Sequence, residues 1–253
     1  RLQLCSGVDP VKLVRLASLA AIATVPFLPA FAQEADKWTG EGAFNAGFTT
    51  GNTETRDAGV AIKAKHTGGE WTQLGELTFD YGDTDEVETR NRIFAAGQVD
   101  RSFGDQWSGY TRLTGESDQF SGFENRYFLG VGAAFKAVDL PATKWTLEGG
   151  PGYRIDEVRA TATALASTEE SIGGRAASRF SHDFNERVKF TDTTEVVASD
   201  SSTQISNSAA ITANIMGNLS ARVSLDVRHD ANPLPGFEPT DTATKFSLVY
   251  KIE

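Results

Sequence analysis

From Trp38 onward the chain alternates apolar and polar residues with a period of two. Trp38, Gly40, Gly42, Phe44, Ala46 and Phe48 interleave with Thr39, Glu41, Ala43, Asn45, Gly47 and Thr49. Trp71, Leu77, Phe79 and Tyr81 stand against Glu76, Thr78 and Asp80, and Phe123, Tyr127, Leu129, Val131, Ala133 and Phe135 against Glu124 and Arg126. The pattern returns at Ile205, Ala209, Ile211, Ala213 and Ile215 against Ser206, Ser208, Thr212 and Asn214. Leu219, Ala221, Val223, Leu225 and Val227 then oppose Arg222, Asp226 and Arg228, and Phe246, Leu248, Tyr250 and Ile252 oppose Lys245, Ser247 and Lys251. Neighbouring residues of a strand point to opposite faces, so this is the signature of strands with one apolar face. No segment holds a helical period of about 3.6 residues. The count comes to about twelve strands of about 9–11 residues, the length a tilted membrane strand needs. Segments 87–101 and 170–182 are the least regular, which leaves ten or fourteen strands open.

The connections sort into two kinds. Tight turns are expected at Gly68-Gly69, Gly104-Asp105, Asn185-Glu186 and Gly217-Asn218, and longer polar loops at 82–88, 117–122, 157–168, 199–203 and 230–241. Short and long connections alternate, as they do in an antiparallel up-and-down transmembrane β-barrel with short periplasmic turns and longer outer loops. Two connections break the rule: 51–54 is short on the outer side, and 137–143, with Pro141, is long on the inner side. An even strand number places both chain ends in the periplasm. Trp38, Trp71, Trp107 and Trp145 fall near strand beginnings and Phe103, Phe180 and Phe184 near strand ends, as interfacial girdles would require.

Ahead of the strands, Lys12 and Arg15 precede the apolar run Leu16–Leu28, and Ala30-Phe31-Ala32 leads into polar Gln33-Glu34-Ala35-Asp36. That order reads as a cleavable export signal, and the run is too short for a spanning helix of about 20 residues. Residues 1–32 are therefore assigned to an N-terminal extension plus signal peptide, and 33–253 to the barrel. Cys5 lies ahead of the apolar run, so it is not a lipidation site, and the rest of the chain has no cysteine. Disulfides, thiolate zinc sites and cysteine nucleophiles are excluded from the barrel. The whole chain carries Lys+Arg 24 and Asp+Glu 34; without Arg1, Lys12, Arg15 and Asp9 the remainder is 21 − 33 = −12. An acidic chain has no electrostatic footprint for nucleic acid. Mean hydropathy is −0.30. With no apolar run after residue 32 able to span as a helix, membrane residence requires a closed barrel.

Several stretches carry a family resemblance: Thr49-Thr50-Gly51-Asn52-Thr53-Glu54-Thr55, Asp100-Arg101-Ser102-Phe103, Arg126-Tyr127-Phe128-Leu129-Gly130-Val131-Gly132, Glu148-Gly149-Gly150-Pro151-Gly152-Tyr153-Arg154, and Thr240-Asp241-Thr242 followed by Ser247-Leu248-Val249-Tyr250. In order and spacing, from Trp38 to Tyr250, the chain resembles the YdiY-like DUF481 family, described as salt-induced outer-membrane proteins. The resemblance implies a β-barrel in the cell outer membrane of a Gram-negative bacterium, with no established biochemical activity and no site residues to transfer. Family members usually end near Tyr-x-Phe; here Ile252 stands in that place and Glu253 follows, so the assembly signal is expected to be partly met.

Candidate chemistry is sparse. Ser181-His182-Asp183 has the residue types of a triad, but strand neighbours point to opposite faces. No Gly-x-Ser-x-Gly elbow is present. His229, near Asp226 and Asp230, reads as a solvated loop histidine, and His66 completes the set of three. Asp83, Asp85, Glu86 and Glu88 read as a solvated acidic loop without the calcium-loop pattern. No cofactor, metal or catalytic residue is assigned. The inward set is richer. The alternation sends Glu41, Lys63, Glu76, Arg90, Arg92, Glu124, Arg126, Glu148, Arg154, Arg179, Glu195 and Arg228 into the lumen, along with Lys65, Asp80, Glu116, Arg175, Lys189, Asp226 and Lys245. Buried charge must be paired or wet. The lumen is therefore either closed by ion pairs, giving a structural barrel, or a narrow water-filled pore, with the closed form favoured. Expected partners are outer-membrane lipids, lipopolysaccharide and the barrel-assembly machinery; oligomeric state is left open. A soluble periplasmic barrel holding an apolar ligand would instead turn aromatics inward and polar residues outward. An outer-membrane hydrolase would need a converging Ser/His or Asp/His set.

Overall fold

The computed structural model describes residues 36–49, 55–160, 165–200, 202–233 and 237–252. Twelve strands occupy almost all of them: β1 (Lys37–Thr49), β2 (Thr55–Gly68), β3 (Trp71–Thr84), β4 (Val87–Ser102), β5 (Trp107–Asp118), β6 (Phe123–Asp139), β7 (Thr143–Val158), β8 (Ser167–Asp183), β9 (Val188–Ser199), β10 (Thr203–Met216), β11 (Leu219–Asp230) and β12 (Thr240–Ile252). Each pairs antiparallel with its sequence neighbours, and β1 pairs with β12 to close the barrel. Closure leaves no unpaired edge, the condition for backbone polar groups to sit in a bilayer. The less regular segments resolve as β4 and β8. The export signal and the 51–54 turn lie outside the described residues.

The strands run from 12 to 17 residues, longer than the sequence pattern suggests. The added length comes from the loops. The expected 82–88 loop shrinks to Asp85-Glu86, since Asp83 and Thr84 of β3 pair with Glu88 and Val87 of β4. Both turn residues have positive φ, 50° and 63°, as a tight two-residue hairpin demands. Half of the acidic cluster, Asp83 and Glu88, is thus strand, because cross-strand pairing satisfies more backbone groups than an open loop could. The connections 119–122 and 200–202 are also shorter than expected, so the contrast between the two ends rests mainly on 159–166 and 231–239. At the other end the tight turns stand: Gly69, Gly104 and Gly217 take positive φ there. The connection with Pro141 is confined to 140–142.

Register places one alternating set of residues outside. Phe44, Ile62, Leu129, Val131, Ile172, Ile211, Phe246 and Leu248 are all exposed on the outer wall. Trp38, Trp71, Trp107 and Trp145 begin odd-numbered strands, so all four gather at the end where β1 starts and β12 finishes. They remain exposed. Their cross-strand neighbours are His66, Arg101, Phe135 and Phe180. Trp38 stacks on His66 at 4.6 Å and Trp107 on Phe135 at 4.8 Å, and Arg101 lies 5.5 Å over Trp71. One end of the barrel thus carries an aromatic ring of the kind found at membrane interfaces.

Two local departures shape the interior. In β6 the register shifts between Phe123 and Asn125, a bulge that adds one residue at Glu124. The pattern expects Phe123 outside and Glu124 inside. Instead Phe123 is buried, its ring 3.4 Å from the Arg126 guanidinium carbon. Further along, β6 and β7 present Gly130, Gly132, Gly150 and Gly152 to the lumen by alternation. Side chains there would strike the ring of Phe128 at Gly130 and Gly152, and the ring of Tyr110 at Gly132. The glycines form a bare wall against which these two buried rings pack.

Candidate functional site: the charged lumen

The candidate site is the barrel interior, which the ion pairs themselves define. Arg126 of β6 binds Asp230 of β11 at 2.8 Å. Arg228 of β11 binds Asp118 of β5 at 3.1 Å and also pairs with Glu116. In the ring order β5 and β11 stand six places apart, directly opposite each other among twelve strands. Such contacts can only cross the lumen. Every residue joined this way therefore faces inward, and the outward set is fixed by alternation.

The contacts form two layers. The outer layer lies toward the 119–122 and 231–239 connections. Here Arg92 holds Glu116 at 3.1 Å and Asp80 at 3.6 Å, and Lys245 bridges Asp80 at 2.8 Å and Asp226 at 3.6 Å. Arg154 binds Asp156 at 2.8 Å, and Arg126 approaches the same carboxylate at 3.8 Å. The central layer turns on Arg175 of β8. Its Nη1 reaches Glu148 at 2.7 Å, while Nε and Nη2 reach one oxygen of Glu195 at 2.8 and 2.6 Å. Arg179 holds the other Glu148 oxygen at 3.3 Å. Gln98 of β4 receives hydrogen bonds from Arg112 and Arg179 and donates one to Glu148. The side chains of Arg175 and Glu148 are 1% and 3% exposed, so both charges are out of contact with water. Charges this dry are tolerable only because each has opposite charge and hydrogen bonds on several sides.

The inward candidates distribute over these layers and the two mouths. Arg92, Arg126, Arg154 and Arg228 belong to the outer layer, and Glu148, Arg179 and Glu195 to the central one. Arg90 pairs with Asp57 at 3.3 Å near the Asp85-Glu86 turn. Glu41 is held by both Nη atoms of Arg222 at 2.9 and 2.8 Å, and Lys63 by Glu76 at 3.3 Å, toward the tryptophan end. Glu124 falls at the bulge, where Phe123 takes the inward place. Contributors that escape the sequence pattern include Gln98, Arg112 and Asp156, and also Asp118 and Asp230, which the pattern assigns to loops. In β5 the outward partners of Arg112 include Gly109, Thr111, Gly115 and Ser117, which offer little apolar contrast to reveal the alternation. The signal that could have found it was the inward run Tyr110, Arg112, Thr114, Glu116 read on its own.

The histidines sit outside this network. His182 accepts or donates at 2.9 Å with Thr143 and stacks edge-on against Phe184. Its neighbours Ser181 and Asp183 have Cα partners Lys144 and Lys189 and lie on the other face of β8. His229 is a residue of β11, not of a loop, and contacts Thr240 at 2.9 Å on the outer side. Strand extension at the expense of the 230–241 loop accounts for the change.

Residues 43–252 match the family described as protein of unknown function, DUF481. No curated protein matches the chain in sequence. Among solved structures, the translocator domain of the autotransporter NalP from Neisseria meningitidis is similar at 12% identity and TM-score 0.47, covering 96% of this chain and 95% of that one. An outer-membrane channel from Pseudomonas putida F1 gives 8% identity and TM-score 0.49, covering 87% and 96%. The NanC porin gives 11% identity and TM-score 0.46, covering 85% and 98%.

Proposed function

The chain belongs to the DUF481 family, and on that premise we propose that it is an outer-membrane β-barrel of structural type, its lumen closed by ion pairs. Membrane residence is supported by the outer wall. A closed barrel whose exterior bears Phe44, Ile62, Leu129, Val131, Ile211 and Phe246, with four tryptophans ringed at one end, has the surface that lipid solvates and water does not. It is the reverse of the arrangement expected of a soluble barrel holding an apolar ligand. The observation that carries the closed reading is the set of pairs from Arg228 to Glu116 and Asp118, which span the barrel between opposite strands. A barrel of this size lies between those filled by side chains and the open porins; here the paired side chains of the outer and central layers cross it. On this reading the even strand number puts both ends of the barrel chain on the periplasmic side. A link to salt or osmotic stress is proposed on the family resemblance alone, and it predicts higher protein abundance in cells shifted to high salt.

Two measurements test the reading. The detergent-extracted membrane fraction should show a band that shifts on boiling, because a closed sheet resists SDS until heated. In planar bilayers the folded protein should then show no steady conductance. A protein recovered without detergent would end the membrane reading, and a stable open channel would replace the closed barrel with a pore.

A further inference from the structure

The central layer does not fill the lumen to the tryptophan end. Between it and the mouth lies a basin of about 440 Å³, reached past Gly40 at the start of β1 and Ile252 at the end of β12. Its floor includes Arg112, Arg179 and Glu195, the underside of the central ion-pair layer.

The charge in this basin is inverted relative to the chain. The protein has a formal net charge of −10, yet the basin presents Lys63, Lys65, Lys251, Arg112 and Arg179 against three carboxylates. Those carboxylates, Glu41, Glu76 and Glu195, are already engaged. Glu41 is clasped by Arg222 and Glu195 by Arg175, two arginines that do not line the basin, and Glu76 by Lys63. Among the described residues, neither Lys65 nor Lys251 has a carboxylate within ion-pair reach. The floor points the same way. Arg112 is 8% exposed, and its Nε, 3.5 Å from Glu195, makes no hydrogen bond among the described residues. That nitrogen is closed off from the basin, so Arg112 contributes there as a fixed positive charge beneath the floor, beside Arg179.

We propose that the basin is a binding site for a small, multiply charged oxyanion, a polycarboxylate or phosphate entering from the side of the chain ends. Lys65 and Lys251 meet its charge at the mouth, and Arg112 and Arg179 add positive potential from the floor. Electrostatic focusing by a low-dielectric wall strengthens the attraction. The closed layer above makes the basin a receptor with one entrance, not a conduit. The inference rests on the barrel reading, which the boiling shift tests separately.

The experiment is titration calorimetry at low ionic strength on the folded full chain in detergent, with citrate and inorganic phosphate as probes and spermidine as the cationic control. Only preparations that show the boiling shift are titrated. Saturable citrate or phosphate binding is expected, weakened by added salt, with no spermidine binding. The double variant Lys65→Gln/Lys251→Gln should weaken it at least about tenfold, while Arg101→Gln on the outer wall should leave it unchanged. A barrel that shifts on boiling but takes up neither anion overturns the site and leaves the barrel standing. So does preferential spermidine uptake, or a double variant that binds as the parent does.

Discussion

Arg175 is the residue on which the closed lumen most directly depends. Its guanidinium is 1% exposed and satisfies two carboxylates at once, Glu148 at 2.7 Å and Glu195 at 2.6 Å. Arg175→Ala removes the cation and leaves Glu148, itself 3% exposed, with Arg179 at 3.3 Å as its remaining ion-pair partner. Breaking a buried pair from one side costs about 3–5 kcal/mol, because the stranded charge keeps its desolvation penalty. Glu195, 20% exposed and 3.5 Å from Arg112, is partly relieved by water and by that second arginine. The loss should therefore fall toward the lower half of the range, about 3 kcal/mol. Urea unfolding in vesicles of short-chain lipid measures it. Adding Glu148→Gln to the alanine variant should recover part of the loss, with a coupling of about 1–3 kcal/mol in a double-mutant cycle. The same variant, lacking the side chain that joins β8 to β7 and β9, should admit water and show conductance where the parent shows none. A cost within about 0.5 kcal/mol, the level of an ordinary surface change, and no coupling would mean that Arg175 is already wet. The closed lumen would then be refuted.

Three other perturbations probe separate parts of the argument. Val131→Arg, at the middle of β6 on the outer wall, should cost about 2–4 kcal/mol in a bilayer; a change near zero by urea unfolding in vesicles would deny that this face meets lipid. Gly152→Val would drive a side chain into the Phe128 ring and should destabilise by about 1–3 kcal/mol; pairing it with Phe128→Ala should recover part of that loss, and no recovery would refute the proposed contact. Glu86→Gly, at φ 63° in the two-residue turn, removes left-handed strain of about 1 kcal/mol against a smaller entropic loss, so the urea midpoint should rise slightly, and a fall would refute the strained turn.

The alternation of residues in β1, β3, β10, β11 and β12 was enough to establish strands, their apolar outer face and the candidate lumen charges. Side-chain direction in a strand depends only on parity, a local property. The turns with Gly69, Gly104 and Gly217 were legible for a similar reason: positive φ has a residue preference. What parity could not foresee is where parity breaks. The bulge at Glu124 turns Phe123 inward, and nothing in the alternating run announces one extra residue. Nor could strand ends be read from polarity, since strand residues beyond the apolar band are as polar as loop residues; hence β3 and β4 absorb what looked like an acidic loop. The partners of the lumen charges were a matter of tertiary structure alone. Arg228 and Glu116 are 112 residues apart and meet because closure places β11 opposite β5. Whether charges pair or leave a channel depends on the barrel's circumference and on which height each side chain occupies. Both are set by strand number and stagger around the whole ring, and no short stretch of sequence contains them.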